Sequence, residues 1–347
     1  MVSVFMQVPQ MFRQLMVALS VALLGYGYKA LKPPPPKKCG SAGGSPVNSP
    51  RIRLADGRHL AYRESGVAKD EARYKIIVIH GFNSCKDQPL PLSQELVEEL
   101  KLYMLFFDRA GYGESDPHPR RSVKSEAYDI QELADALQLG SKFYVIGISI
   151  GGYAAWSCIR YIPQRLAGIS LVVPFVHYWW PHFPSELSRE AWRKLPVSDR
   201  WTFRVAHYTP WLLYWWMNQK LFPSLKILSD IATVFTQQDL EINEKRVEVP
   251  NEKIRQQGVY ESLHRDMMAS FANWEFSPLD LRNPFPKNEG SVHIWQGHED
   301  KIIPSKVNRF ISEKLEWIKY HEIIEGGHMF IYEQSMCETV VRALVLG

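Results

Sequence analysis

Gly147-Ile148-Ser149-Ile150-Gly151 stands between the apolar run Phe143-Tyr144-Val145-Ile146 and the helix-like start Gly152-Tyr153-Ala154-Ala155-Trp156. A G-x-S-x-G between strand and helix predicts a tight turn that lifts one serine hydroxyl above a sheet edge. The serine of such a turn takes a strained backbone, and the residues two before and two after it pass close together. Glycine suits both places because it carries no Cβ. The strand-turn-helix setting, rather than the three fixed residues alone, is what gives the motif its weight.

The rest of the chain has the rhythm such a strand requires. Arg51–Leu54, Asp56-Gly57 and Arg58–Glu64 predict a hairpin turned at Asp-Gly. Lys75–His80 is a continuous apolar strand that ends in His80-Gly81-Phe82-Asn83. Leu92, Leu96, Val97 and Leu100 have helical spacing, with Ser93 as N-cap. Leu102–Phe107 is a second buried strand, running into Asp108-Arg109-Ala110-Gly111-Tyr112-Gly113, a glycine-rich loop. A helix over Ser125–Leu139, the turn strand, a helix to Tyr161 and the strand Ile169–Val173 follow. Strands alternating with helices predict an α/β class with a mostly parallel sheet covered on both faces. The rhythm breaks at Pro174. It returns with the strand Val292–Gln296, the helix Pro304–Leu315, the strand Tyr320–Ile324 and a last helix Tyr332–Leu346. We therefore divide the chain into an N-terminal segment (1–50), a first core part (51–174), an inserted helical cap (175–284) and a second core part (285–347).

The 347 residues, 46% of them hydrophobic, are enough for one large α/β domain with an insertion. A net charge of +4 without a long basic block does not point to nucleic acid. Cys39, Cys85, Cys158 and Cys337 lack paired short spacing, so neither a disulfide framework nor a metal site is implied, and reduced thiols in a cytosol-facing domain are the simplest reading. Gln14–Tyr28 is apolar and lies between Arg13 and Lys29. By itself it is short for a hydrocarbon core of ~30 Å, and part of Met1–Met11 would extend it. We read it as an uncleaved anchor, with a cleaved signal or a transit segment as the competing readings. Pro33–Pro36 forms a stiff stalk and Gly40–Pro50 a flexible linker, so folded structure is expected from Arg51. Lys29, Lys32, Lys37 and Lys38 after the span, against Arg13 before it, place the following domain in the cytosol, on an endomembrane such as the endoplasmic reticulum.

With these residues in view the chain resembles the α/β-hydrolase superfamily with an inserted cap, from Arg51 to Gly347. The short anchor and proline stalk resemble membrane-anchored plant members. The resemblance implies a triad in chain order Ser, acid, His. Ser149 would be the nucleophile. Asp300, in Gly297-His298-Glu299-Asp300 after a strand, would be the acid, with Glu299 as its competitor. His328, in Gly326-Gly327-His328, would be the base. By resemblance the oxyanion would be held by the backbone N–H groups of Phe82 and Ile150. Family members that open epoxides or carbon–halogen bonds carry Asp at the turn, so Ser149 excludes that chemistry. His80 would shape its loop, His293 and His298 would be ordinary strand and loop residues, and Cys85 a buried thiol.

No metal or organic cofactor is implied. The cap is rich in aromatics, among them Tyr178, Trp179, Trp180, Trp211, Trp215 and Trp216. These either pack the cap on the core, line an apolar pocket or rest on a bilayer surface. The expectation is a membrane-tethered serine hydrolase that cleaves a hydrophobic small-molecule or lipid ester through an acyl-enzyme. The alternatives are a ligand receptor or interaction protein that keeps the fold, and an acyltransferase, thioesterase, peptidase or carbon–carbon hydrolase of the same fold.

Overall fold

The structure, a computed structural model, describes residues 10–347. Eight strands form one sheet: β1 (Arg51–Arg53), β2 (His59–Gly66), β3 (Tyr74–Ile79), β4 (Leu102–Phe107), β5 (Phe143–Ile148), β6 (Leu166–Val172), β7 (Val292–Gly297) and β8 (Ile318–Ile323). Their spatial order is β1-β2-β4-β3-β5-β6-β7-β8. β1 and β2 pair antiparallel, as does β2 with β4, and every later pairing is parallel. The α/β expectation therefore holds, and its physical source is visible in β4, buried at all six residues. A strand buried on both faces needs helices above and below it.

α1 (Gln10–Leu31) lies ahead of the sheet, and α2 (Gln94–Leu100), α3 (Val123–Ala136) and α4 (Gly152–Tyr161) cover it. Ser93 caps α2 by accepting from the Leu96 amide, as its position predicts. Trp156 on α4 is fully buried, joining α4 to the core on one sheet face. Between β6 and β7 the described chain is helical or irregular. It forms α5 (Ser185–Lys194), α6 (Val197–Tyr208), α7 (Leu213–Asn218), α8 (Lys226–Ser229), α9 (Ile231–Val234), α10 (Gln237–Lys245), α11 (Asn251–Ile254), a π-helical stretch (Tyr260–His264) and α12 (Arg265–Ser270). α13 (Ser305–Lys314) and α14 (Gln334–Leu346) complete the layers.

Two N-terminal expectations change. α1 has 22 residues, which at about 1.5 Å each reach roughly 33 Å. The helix gains length at both ends of Gln14–Tyr28, so the described span is long enough without help from residues 1–9, which lie outside the described structure. The linker is not free, and order begins well before Arg51. Lys37 N donates to Gln257 O at 3.0 Å and Cys39 N to Gln257 Oε1 at 3.2 Å. The amides of Asn48 and Ser49 both donate to Glu114 Oε2 at 2.9 Å, and Ser49 Oγ meets Glu114 Oε1 at 3.0 Å. Buried Glu114 and Gln257 need partners, and the linker's unpaired backbone amides supply them.

Candidate active site

β5 ends at Ile148, and the chain turns through Ser149 at φ 54° into a short 3-10 turn that leads into α4. A non-glycine residue in the left-handed region is strained, and the surrounding packing must hold it there. The glycines around it have steric reasons. A Cβ on Gly147 would stand 2.6 Å from Ala155 Cβ and 3.1 Å from Gly151 O. One on Gly151 would meet the carbonyls of Ile79 and His80 at 2.7 Å. The close approach across the turn predicted from the motif is present.

Ser149 Oγ lies 2.9 Å from His328 Nε2, and His328 Nδ1 lies 2.8 Å from Asp300 Oδ2. Residues separated by 179 and 28 positions thus form one continuous chain of contacts. Asp300 is held in turn: its Oδ1 accepts from the amides of Ile302 and Ile303 at 2.8 and 2.9 Å. Of the adjacent carboxylates, Asp300 is buried and faces the imidazole, while Glu299 is exposed. Burial alone would lower the His328 pKa. The Asp300 charge and hydrogen bond, with Asp239 behind them, outweigh it and hold His328 above the ordinary histidine value. Such a ring readily accepts a proton from the hydroxyl beside it.

The amide of Ile150 belongs to the first turn after the strand, where N–H groups lack an intrahelical acceptor. Phe82 and Ile150 both border the same cavity as Ser149. Gly81 lies beside the nucleophile turn, where a Cβ would rest in ordinary contact with Ser149 Cβ at 3.4 Å. His80 is turned away from the hydroxyl: its Nδ1 faces Gly81 O at 2.8 Å and its Nε2 accepts from Arg109 N at 3.1 Å. Its pKa is pushed well down, first by burial and then by Arg109, so it is a neutral loop brace. Asp108 likewise accepts from the amides of Lys86 and Glu114 and shapes the glycine-rich turn. His298 sits at the surface against Glu322 at 2.6 Å, and His293 stacks on His321. Cys85 is buried, and burial pushes its thiol up to about 12. None of these five side chains is hydrogen-bonded to the Ser149 hydroxyl, whose side-chain partner is His328.

Three sets of residues escaped the sequence reading. Asp266 on α12 accepts from Arg109 Nη1 and Nη2 at 2.7 and 2.6 Å, from Tyr112 OH at 2.7 Å and from Tyr153 OH at 2.9 Å. Arg121 adds a further contact at 3.1 Å. This buried centre ties the inserted helices to the loop that carries Phe82, because Arg109 also reaches Gly81 O at 3.3 Å. Asp239 on α10 is buried and accepts from Met329 N at 2.7 Å, next to His328. A Cβ on Gly327 would collide with that carboxylate at 2.1 Å, which explains the second glycine of Gly326-Gly327-His328. The third set, Ser84, Asn243 and Arg246, lines a chamber beside His328. Only a three-dimensional fold could join α10 and α12 to loops as far as 90 and 157 residues away; no spacing within the inserted block signals it.

Two chambers meet at Ser149. One is lined largely by apolar groups, including Ile150, Phe175, Leu225, Val234, Phe271 and Ile303. The other contains His328 with a more polar wall. Among the described residues no group of three or more His, Cys, Asp and Glu side chains could hold a metal ion.

The sequence profile of the Alpha/beta hydrolase family matches residues 76–343. A Bacillus subtilis (strain 168) protein that carries the provisional name 2-succinyl-6-hydroxy-2,4-cyclohexadiene-1-carboxylate synthase is 30% identical over 123 residues. That match takes 35% of this chain and 42% of the relative, so it spans less than half of the relative's length. Among solved structures, an esterase from Rhodococcus sp. ECU1013 superposes with a TM-score of 0.58 at 14% identity, covering 87% of this chain and 99% of that one. The enol-lactonase from Burkholderia xenovorans LB400 gives 0.57 at 15%, covering 86% and 100%. A thermophilic esterase from Thermogutta terrifontis gives 0.54 at 19%, covering 86% and 97%. At these identities the likeness is one of fold.

Proposed function

Because the chain belongs to the alpha/beta hydrolase family, we propose that it is a serine hydrolase that cleaves an apolar carboxylic ester through an acyl-enzyme on Ser149, His328 and Asp300. The observation that carries this reading is the unbroken contact from Ser149 Oγ to His328 to Asp300, at 2.9 and 2.8 Å. A serine hydroxyl is a weak nucleophile until a base takes its proton. His328 Nε2 takes it as Oγ attacks the ester carbonyl, while Asp300 fixes Nδ1 as the protonated nitrogen and stabilises the imidazolium. The N–H groups of Ile150 and Phe82 receive the oxyanion. The imidazolium then protonates the leaving alcohol, and water deacylates Ser149 by the same route in reverse. The apolar chamber suits the acyl chain, since a lining with few polar groups gains from burying hydrocarbon.

α1 supports membrane attachment: it is long and apolar enough to span a bilayer and buries none of its residues. The lysines that follow it favour a cytosolic catalytic domain on an endomembrane. On the cap, Trp201, Tyr208, Trp211 and Phe222 are exposed, as aromatic residues at a membrane interface would be. The test is labelling by a fluorophosphonate probe together with turnover of p-nitrophenyl octanoate. Labelling and multiple turnover, both lost in Ser149→Ala, are expected. Wild-type protein that folds yet neither labels nor turns over would contradict the reading and favour a receptor on this fold.

A further inference from the structure

In acyl-enzyme chemistry the departing alcohol must sit where the base can protonate it. His328 and its neighbour Met329 line only the second of the two chambers, and Ile150, Phe175 and Phe271 line only the first. The acyl and alcohol halves of a substrate are thereby assigned to different rooms. The alcohol room has an unusual wall. Arg246 lines it, and its guanidinium is held only by neutral partners: Nε donates to Asn243 Oδ1 at 2.8 Å and Nη1 to Gln88 Oε1 at 3.1 Å, over the Tyr332 ring. That leaves Nη2 without an acceptor among the described residues. Because Asn243 Oδ1 is engaged by Arg246, its amide nitrogen is the end left to donate. Ser84 is only 7% exposed, and its buried Oγ has no partner. No Asp or Glu lines this chamber among the described residues.

Three donor-bearing residues, one a permanent cation, line a room whose described lining contains no carboxylate. We propose that this chamber binds the alcohol half of the substrate and selects an alcohol that carries an anionic group, a phosphate or a carboxylate, received by Arg246, Asn243 and Ser84. The inference rests on the serine-hydrolase reading and adds to it the class of leaving group. Arg246 would meet the anion in charge-assisted hydrogen bonds, the kind that a planar guanidinium makes best. It has no part in the bond-breaking step; its effect is on which ester is held there.

The experiment compares kcat/KM of the detergent-solubilised full chain for three octanoyl esters: octanoyl glycerol, octanoyl glycerol 3-phosphate and octanoyloxyacetate. The expected result is a preference of about tenfold or more for an anionic ester over the neutral one. The phosphate and carboxylate arms show which anion is taken. Arg246→Met should collapse the preference towards one. Asn243→Asp, which keeps the acceptor for Arg246 and adds a negative charge, should reverse it. Should Arg246→Met not fold, by thermal melt and fluorophosphonate labelling, Asn243→Asp carries the test. A wild-type chain that labels at Ser149 and hydrolyses all three esters equally overturns the anionic-alcohol assignment and leaves the hydrolase standing, as does a preference unchanged in the variants. A chain that neither labels nor hydrolyses any ester removes both.

Discussion

Replacing Asp266 by alanine should cost this protein more than any other single change at the seam between α12 and the core. The carboxylate sits fully buried among Arg109, Arg121, Tyr112 and Tyr153, with four hydrogen bonds between 2.6 and 2.9 Å. Burial would raise its pKa, but Arg109 first and Arg121 next hold it far below the carboxylate range. Its removal leaves Arg109 uncompensated, with Tyr153 OH at 3.2 Å and Gly81 O at 3.3 Å as the remaining acceptors of its guanidinium. Arg121 keeps Glu126 at 2.5 Å, so the loss is concentrated on Arg109. Breaking a buried ion pair from one side costs about 3–5 kcal/mol. Urea unfolding of wild type and Asp266→Ala, followed by tryptophan fluorescence, measures the difference. Asp266→Asn, which retains an oxygen for one donor, should lose less. The double variant Arg109→Met/Asp266→Ala should be less destabilised than the sum of the singles by more than about 1 kcal/mol. A single-variant loss under about 1 kcal/mol would refute the reasoning, because a desolvated guanidinium cannot be abandoned so cheaply. Turnover should fall along with stability, since Arg109 also braces the His80-Gly81 loop next to Phe82.

Three further outcomes follow from the same geometry. His328 is held above the ordinary histidine pKa and must be neutral to act as a base, so kcat/KM should rise with pH through a midpoint above about 6.5; in Asp300→Asn, with the charge that raises it gone, residual activity should show a lower midpoint. Glu114 is held below the usual glutamate range by the amides of Asn48 and Ser49 against the opposing effect of burial. Its contribution is therefore present above its unfolded pKa near 4.3 and is lost as pH falls through the folded value. Glu114→Ala should free residues 37–50 to limited proteolysis at neutral pH, and equal resistance in variant and wild type would contradict the docked linker. Gly327→Ala should impair activity by forcing Asp239 off the Met329 amide; an unchanged kcat in a folded variant would show the contact to be dispensable.

Much of the fold and the residues of the candidate triad were legible because each depended on local signals. Buried strands such as Leu102–Phe107 are continuous apolar runs, and Ser149, Asp300 and His328 each follow a strand within five residues. Caps and turns such as Ser93 and Asp56-Gly57 act over three or four residues, within reach of pattern reading. Contacts made by the inserted helices were not legible. Asp239, Arg246 and Asp266 sit in ordinary polar stretches, and their partners lie in loops brought near only by the folded sheet. The linker failed for a related reason: its composition permits disorder, whereas the acceptors that order it, Glu114 and Gln257, belong to distant turns.

Trapping the covalent intermediate tests the central claim most directly. Wild-type and Ser149→Ala protein would be mixed with p-nitrophenyl octanoate, quenched in acid within the first turnover, digested and examined by mass spectrometry. An octanoyl adduct on the peptide containing Ser149, absent from the alanine variant, is the result expected. Turnover by wild type with no acylated Ser149 peptide, or equal turnover by Ser149→Ala, would show that ester cleavage does not pass through this serine.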